Sequence, residues 1–297
     1  MRKIFKGLIT AVVTPFKNDK IDVPALEKMI EYQIKYKVDG LVLAGSTGEG
    51  ASLTIEEYQF LIKSGLEIAR GRIDVMAGCS LSSTHQAVEL AKIAEREKAN
   101  GIMVAVPPYV KPTQEGIYRH FQTIHDAANL PIILYSVPSR TSVDFIDDTI
   151  LRLSLLPRIA ALKDASNDIQ RPLRLSASLP ANFNLLSGND DVSLAYNVHG
   201  GVGCVSVASN ITPKLCKALQ DTWQNEDFKT SFRIQQELMR LYKALFIESN
   251  PIGVKCGASY LGLCSGDLRL PLTIAQDSTR IAIEQAIEGV KRFEEEL

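Results

Sequence analysis

The chain has 297 residues, 45% of them hydrophobic and 23% charged, with a formal charge of −1. That is the make-up of a globular protein with a sizeable core, and it supplies no general attraction for nucleic acid or an anionic membrane. The longest apolar stretches are strand-sized, so no segment is expected to span a bilayer.

The chain opens on Met1-Arg-Lys-Ile-Phe-Lys-Gly-Leu8, where early charges run straight into a strand pattern. The long apolar region and small-residue cleavage site of a secretory signal are missing, and a cytoplasmic address is expected. From there, short β-rich runs alternate with longer stretches of helical period. Strands are predicted at 7–14, 40–44, 74–78, 101–105, 131–135, 159–163, 183–187 and 203–207. Between them lie amphipathic segments such as 23–36, 54–70, 84–97 and 115–127. Thr54-Ile-Glu-Glu57 has the capping-box pattern of a helix start, and Thr212-Pro213 puts an N-cap residue before a proline at the first helical position. Repeated βα units with near-continuously apolar strands predict a parallel sheet covered on its outside, and their number fits a closed (β/α)8 TIM barrel over residues 1–225. Residues 226–297 are expected to form a C-terminal helical extension. It carries one apolar stripe through Phe228, Phe232, Leu238, Leu241 and Leu245, a last helix at 279–296, and loops at Asn250-Pro251 and Ser265-Gly266-Asp267.

Cys79, Cys204, Cys216, Cys256 and Cys264 are odd in number and scattered, which argues against a disulfide framework and against a zinc knuckle. Most read as small buried hydrophobes, with a reactive thiol at the strand ends Cys79 and Cys204 as the lesser reading. His85, His120, His125 and His199 show no metal-ligand spacing, so no metal site is expected.

Lys163 closes the apolar run Ile159-Ala-Ala-Leu162, where a charged amine is out of place. Burial disfavours an ammonium, and a neutral lysine attacks a ketone to form a Schiff base, an electron sink for carbon–carbon bond chemistry. The bland reading is a lysine that reaches the surface or pairs with Asp164.

Barrel enzymes carry their chemistry at the C-terminal ends of the strands. Those ends read Thr14-Pro15, Gly45-Ser46-Thr47-Gly48-Glu49-Gly50, Pro107-Pro108-Tyr109, Tyr135-Ser-Val-Pro-Ser-Arg140-Thr141, Lys163, Ser187-Gly188-Asn189-Asp190 and Val205-Ser206. Taken singly, the Gly45–Gly50 stretch is an ordinary tight turn, Tyr135 a core aromatic and Arg140 a solvated loop cation. No lysine follows the glycines, so the loop is not a nucleotide-binding P-loop. Taken together they make a coherent set. Amides and hydroxyls bind a carboxylate, the lysine binds a ketone, the tyrosines move protons and the arginine holds a second acid.

This pattern resembles the pyruvate-dependent class I aldolase superfamily that includes dihydrodipicolinate synthase and N-acetylneuraminate lyase. The match runs from Phe5-Lys-Gly-Leu-Ile-Thr-Ala-Val-Val-Thr-Pro15 through Gly45-Ser-Thr-Gly-Glu49, Lys163 and Leu186-Ser-Gly-Asn189 to Asn250-Pro-Ile252 and Leu268-Arg-Leu-Pro-Leu272. Arg140 resembles the position with which the synthase branch holds the carboxylate of aspartate semialdehyde, and the sugar-acid lyases usually lack it. By that resemblance Lys163 forms the Schiff base, Tyr135 is the acid/base beside it, and Ser46 and Tyr109 complete a proton relay. Thr47 binds the pyruvate carboxylate or the semialdehyde, and Gly188 and Val205 lie beside the pyruvate.

The implied activity is condensation of pyruvate with L-aspartate 4-semialdehyde to 4-hydroxy-tetrahydrodipicolinate, the entry to diaminopimelate and lysine biosynthesis. It needs no metal and no organic cofactor. The alternatives are an N-acetylneuraminate or 2-keto-3-deoxy sugar-acid lyase on the same scaffold and, remotely, a catalytically silent binding barrel. Ser46, found in the lyases where many synthases carry Thr, leans toward the first alternative. Family members place Tyr109 in a neighbouring subunit's site, which implies a homodimer paired into a homotetramer. The positions matching the family's lysine-inhibition site are Ile55, Tyr58, Ser82, Gln86 and Pro108. They lack the Glu and Asn that would hold lysine, so weak or absent feedback is expected.

Overall fold

The computed structural model describes residues 5–296, so residues 1–4 of the predicted barrel and residue 297 of the extension lie outside the described residues. Eight parallel strands, β1 (Gly7–Ala11), β2 (Gly40–Leu43), β3 (Asp74–Gly78), β4 (Gly101–Ala105), β5 (Ile132–Ser136), β6 (Ile159–Asp164), β7 (Asn184–Ser187) and β8 (Gly203–Ser206), close into a barrel. β1 completes the circle, with Gly7 opposite Gly203 on β8 and Ile9 opposite Gly40 on β2. The predicted (β/α)8 TIM barrel is the observed architecture.

Successive residues of a strand face opposite sides, and here both sides are buried. Ile9, Val42, Met76, Met103, Ile133, Ala161, Leu186 and Val205 fill the interior. Their neighbours along the strands, such as Leu8, Leu41, Val75, Ile102 and Leu162, meet the helices outside. That double burial makes the strands read as continuous apolar runs. The helices answer with apolar stripes. Helix Val23–Lys35 buries Leu26, Met29, Ile30 and Gln33, and each apolar member contributes roughly 2 kcal/mol. Its start is set by Asp22, whose side chain accepts from the Ala25 N–H at 3.2 Å. Helix Ile55–Ala69 starts on the predicted capping box, with Thr54 and Glu57 bonding each other's backbone N–H at 3.2 and 3.0 Å. Gly65 lets that helix lie close on β2, since a Cβ there would meet Leu43 Cδ1 at 2.2 Å.

Two local readings differ from expectation. β1 ends at Ala11 rather than residue 14, because the Val13 N–H is taken by Asn210 Oδ1 at 3.1 Å instead of a neighbouring strand. A two-stranded hairpin, Phe16–Lys17 with Lys20–Ile21, then precedes the first helix. Helix Pro213–Gln224 does begin on its proline, but the Thr212 hydroxyl donates to Glu294 Oε1 at 2.6 Å and does not cap the helix.

After residue 225 the chain forms helices Phe228–Leu245, Ile252–Tyr260 and Asp277–Glu296. Their buried Ile234, Leu238, Leu241, Val254, Ile283 and Ile287 join the same apolar core as Leu215 and Leu219 of the barrel's last helix. Among the described residues, no helix is long and apolar enough to cross a membrane.

Candidate active site

Lys163 and Tyr135 are register partners on β6 and β5, so strand pairing alone brings them to the same level of the barrel. Both side chains are buried, and Lys163 Nζ lies 4.1 Å from the centre of the Tyr135 ring. Strand alternation separates Lys163 from Asp164. Lys163 follows Ala161 on the inner face, whereas Asp164 meets Arg171 at 3.2 Å, Ser166 Oγ at 2.6 Å and Tyr196 OH at 3.4 Å. Burial pushes the Asp164 carboxyl upward from its ordinary value, against the opposing pull of Arg171. Arg171 also holds Asp144 at 2.7 Å, and Asp144 accepts from Ser136, so this buried network ties the ends of β5 and β6 from behind the amine.

The loop after β2 has a demanding backbone. Ala44 and Glu49 adopt left-handed conformations with φ of 53° and 52°. Gly50 presses on the start of the loop so tightly that a Cβ would meet Ala44 O at 2.0 Å. Thr14 Oγ1 donates to Gly48 O at 2.6 Å, and Asn250 Nδ2 donates to Thr47 Oγ1 at 3.0 Å. The Asn250 carbonyl accepts from Arg140 Nη2 at 2.8 Å, so one residue from beyond the barrel touches both the loop and the arginine.

A cavity of about 470 Å³ opens over the C-terminal ends of the strands, and Lys163, Tyr135, Thr47, Arg140 and Gly188 all line it. Gly188 is packed against the backbone after Lys163, its N–H donating to Asp164 O at 2.7 Å. Ser46 lines an adjoining cavity of about 400 Å³ that shares Val137, Arg140 and Asn250 with the first. Val205 sits lower, in the barrel interior, and Val207 is the β8-end residue that reaches the cavity wall. Tyr109 is not part of either wall. Its side chain is 91% exposed, on a residue held at φ 72° in the loop after β4.

Asp190 is buried and bound by Ser206 Oγ at 2.5 Å and by the Val207 and Ala208 N–H groups at 2.8 and 3.1 Å, which clamps β7 to β8 beside the cavity. Burial raises its pKa, partly opposed by those hydrogen bonds. Cys79 and Cys204 are fully buried. Burial pushes the Cys79 thiol up to about 12 and Cys204 well upward, so neither is a thiolate near neutrality and the reactive-thiol reading falls away.

Sequence reasoning passed over Lys255, whose buried side chain bonds Glu49's carboxylate, and gave Asn250 no role. A signal for Lys255 was available: it is the one charged residue in the helix Ile252–Tyr260, among Ile252, Val254, Cys256 and Ala258.

The model of the dihydrodipicolinate synthetase family matches residues 4–290. A Rickettsia bellii protein named 4-hydroxy-tetrahydrodipicolinate synthase is 58% identical over 97% of this chain and 98% of its own length. One of the same name from Rickettsia felis is 55% identical over 97% and 98%. Among solved structures, dihydrodipicolinate synthase from Aquifex aeolicus superposes with a TM-score of 0.95 at 37% identity, covering 97% of this chain and 98% of that one. The 4-hydroxy-tetrahydrodipicolinate synthase of Methylacidiphilum fumariolicum SolV gives 0.95 and 37%, with 97% and 96% covered. Likeness of this extent, in sequence and in fold, leaves one assignment: the chain belongs to the dihydrodipicolinate synthetase family.

Proposed function

We infer that this chain is a lyase of the class I aldolase type that condenses pyruvate with L-aspartate 4-semialdehyde to 4-hydroxy-tetrahydrodipicolinate, the entry to diaminopimelate and lysine biosynthesis. The observation that carries the reading is the Lys163 amine, buried at the strand ends with its nitrogen over the Tyr135 ring, in a cavity that also presents Arg140. The names of the near relatives support it. A dihydrodipicolinate synthase from Acinetobacter baumannii, 36% identical with a TM-score of 0.93, is described as complexed with pyruvate.

The Lys163 amine adds to the pyruvate ketone and expels water, giving an imine whose nitrogen is the electron sink. Tyr135 takes a proton from the pyruvate methyl group, and the imine becomes an enamine. The enamine carbon attacks the semialdehyde's aldehyde carbon, whose oxygen gains the proton. The substrate's own amine then displaces Lys163 by transimination, which closes the ring and frees the lysine. Arg140 holds the semialdehyde carboxylate, Thr47 and Gly188 orient the pyruvate, Ser46 joins the proton relay, Tyr109 joins it from a neighbouring subunit, and Val205 packs below the pyruvate. Residues 1–225 supply the chemistry, and the extension from 226 shapes the cavity above it.

The 91% exposure of Tyr109 supports a homodimer in which that ring enters the neighbouring site, with two dimers pairing into a tetramer. Dilution to monomer is then expected to cost activity. The working compartment is the cytoplasm. Borohydride with pyruvate is expected to leave a reduced adduct on Lys163 by mass spectrometry, and Lys163→Ala to abolish both adduct and turnover. Adduct formation with turnover of a sugar-acid aldehyde in place of the semialdehyde would move the assignment to the lyase branch.

A further inference from the structure

The mechanism makes no use of one deeply buried pair of opposite charges, Lys255 and Glu49. The side chains of Lys255 and Glu49 are 0% and 2% exposed, and Lys255 Nζ donates to Glu49 Oε1 at 2.5 Å. The ammonium also donates to Asp267 O at 2.6 Å and lies 4.3 Å from the centre of the Phe16 ring. The other carboxylate oxygen of Glu49 accepts from the Arg269 N–H at 3.0 Å. An ion pair taken this far out of water is a poor source of net stability, because desolvation offsets most of the attraction. Burial alone pushes the Lys255 amine downward, against the pull of Glu49. Apolar residues would fill the space at less cost, so the pair calls for a role other than cohesion.

Its place in the fold suggests that role. Glu49 is the last residue before Gly50 in the loop that carries Ser46 and Thr47, and its own backbone is held at φ 52°. A non-glycine residue in the left-handed region persists only when its surroundings over-determine it. Besides Thr14, which bonds Gly48 from the barrel side, those surroundings include one stretch beyond the barrel. Asn250 bonds Thr47, Lys255 bonds Glu49, and Arg269 bonds Glu49 by its N–H and Ser52 O by Nη1 at 3.1 Å. The loop's two ends are thus fastened to the extension, with the buried charge pair as the central and directional link.

We propose that Lys255 and Glu49 are positioning residues for the condensation: they hold the Ser46–Thr47 loop in its pyruvate-binding geometry and make the C-terminal extension a working part of the site. The proposal rests on the pyruvate-binding role assigned to that loop. A misplacement of the hydroxyl and amides by about an ångström is enough to cost pyruvate affinity, while Lys163, held by β6, keeps its reactivity.

The test separates position from stability. In the double variant Glu49→Gln with Lys255→Met no charge is left buried at this contact, and its melting temperature is expected to stay near that of the parent chain. Its half-saturating pyruvate concentration, read both from turnover and from borohydride trapping, is expected to rise about tenfold, with kcat lowered less than threefold. The single variant Glu49→Gln keeps one carbonyl oxygen, which serves Lys255 or the Arg269 N–H but not both, so a rise in the same direction is expected together with a lower melting temperature. It carries the test if the double variant does not fold. Unchanged pyruvate saturation in a folded variant would overturn the proposal, as would a fall in kcat alone. Failure of the parent chain to form any adduct with pyruvate would instead sink the reading of the function, so the two failures are told apart.

Discussion

Tyr135 and Lys163 face each other across the β5–β6 pairing, and the amine of one stands 4.1 Å from the ring centre of the other. That relationship places the ring against the amine, while the hydroxyl is the group proposed to move protons. Tyr135→Phe keeps the first and deletes the second. Turnover is expected to fall about a hundredfold or more, with little change in melting temperature and with slow but complete borohydride labelling of Lys163. A variant with near-normal turnover would remove Tyr135 from the proton transfers.

Arg140 is the residue proposed to hold the semialdehyde and not the pyruvate. It lines the cavity from an exposed position at its rim and is steadied by the Asn250 carbonyl at 2.8 Å. A charged hydrogen-bonding partner of a carboxylate contributes on the order of 2 kcal/mol, so Arg140→Ala is expected to lower kcat/KM for the semialdehyde by about 30-fold. Labelling with pyruvate alone should be unaffected. Loss of labelling as severe as the loss of turnover would show that Arg140 serves the pyruvate half of the reaction.

Feedback by lysine is expected to be weak. Tyr58, at one of the positions matching the inhibitor site, is fully buried and its hydroxyl meets Cys79 Sγ at 3.2 Å, so it is engaged with the core. Ile55 and Pro108 bring no charge to neutralise an ammonium. Titration of the coupled assay with lysine is expected to show no half-maximal inhibition below about a millimolar, and inhibition at micromolar lysine would contradict it.

His120 gives the fold an acid-sensitive point. It is buried in helix Gln114–Ala127 with Nδ1 2.9 Å from Thr84 Oγ1, and burial lowers its pKa from 6.5 to about 4. The unfolded chain takes up this proton as pH falls below 6.5, and the folded chain only near 4. The stabilising contribution is therefore complete above 6.5 and is lost as pH falls toward 4, by roughly 2–3 kcal/mol. Denaturant midpoints at about pH 7 and about pH 4.5 are expected to differ less in His120→Gln than in the parent chain. Equal differences would show that other groups govern the acid limb.

Local pattern decided a great deal. Strand-length apolar runs, a capping box and prolines at helix starts act over a few neighbouring residues, so they could be read in chain order. The alternation within Ile159–Asp164 even carries the direction of Lys163, since a buried strand's period of two sends Ala161 and Lys163 inward together. Likewise the grouping of Gly45–Gly50, Arg140 and Lys163 followed from the barrel rule that strand ends converge.

What the linear chain did not reveal are the partnerships made across long separations. Asn250 with Thr47 and Arg140, Lys255 with Glu49, and Arg171 with Asp144 join segments that local periodicity treats as independent. The hydrogen bond that ends β1 early, Asn210 to Val13, is of the same kind. Sequence determined which residues stand at the strand ends, because hydrophobic period is a local property. Tertiary structure alone decided which of them touch, because contacts between buried polar groups depend on how far the barrel closes and where the extension comes to rest.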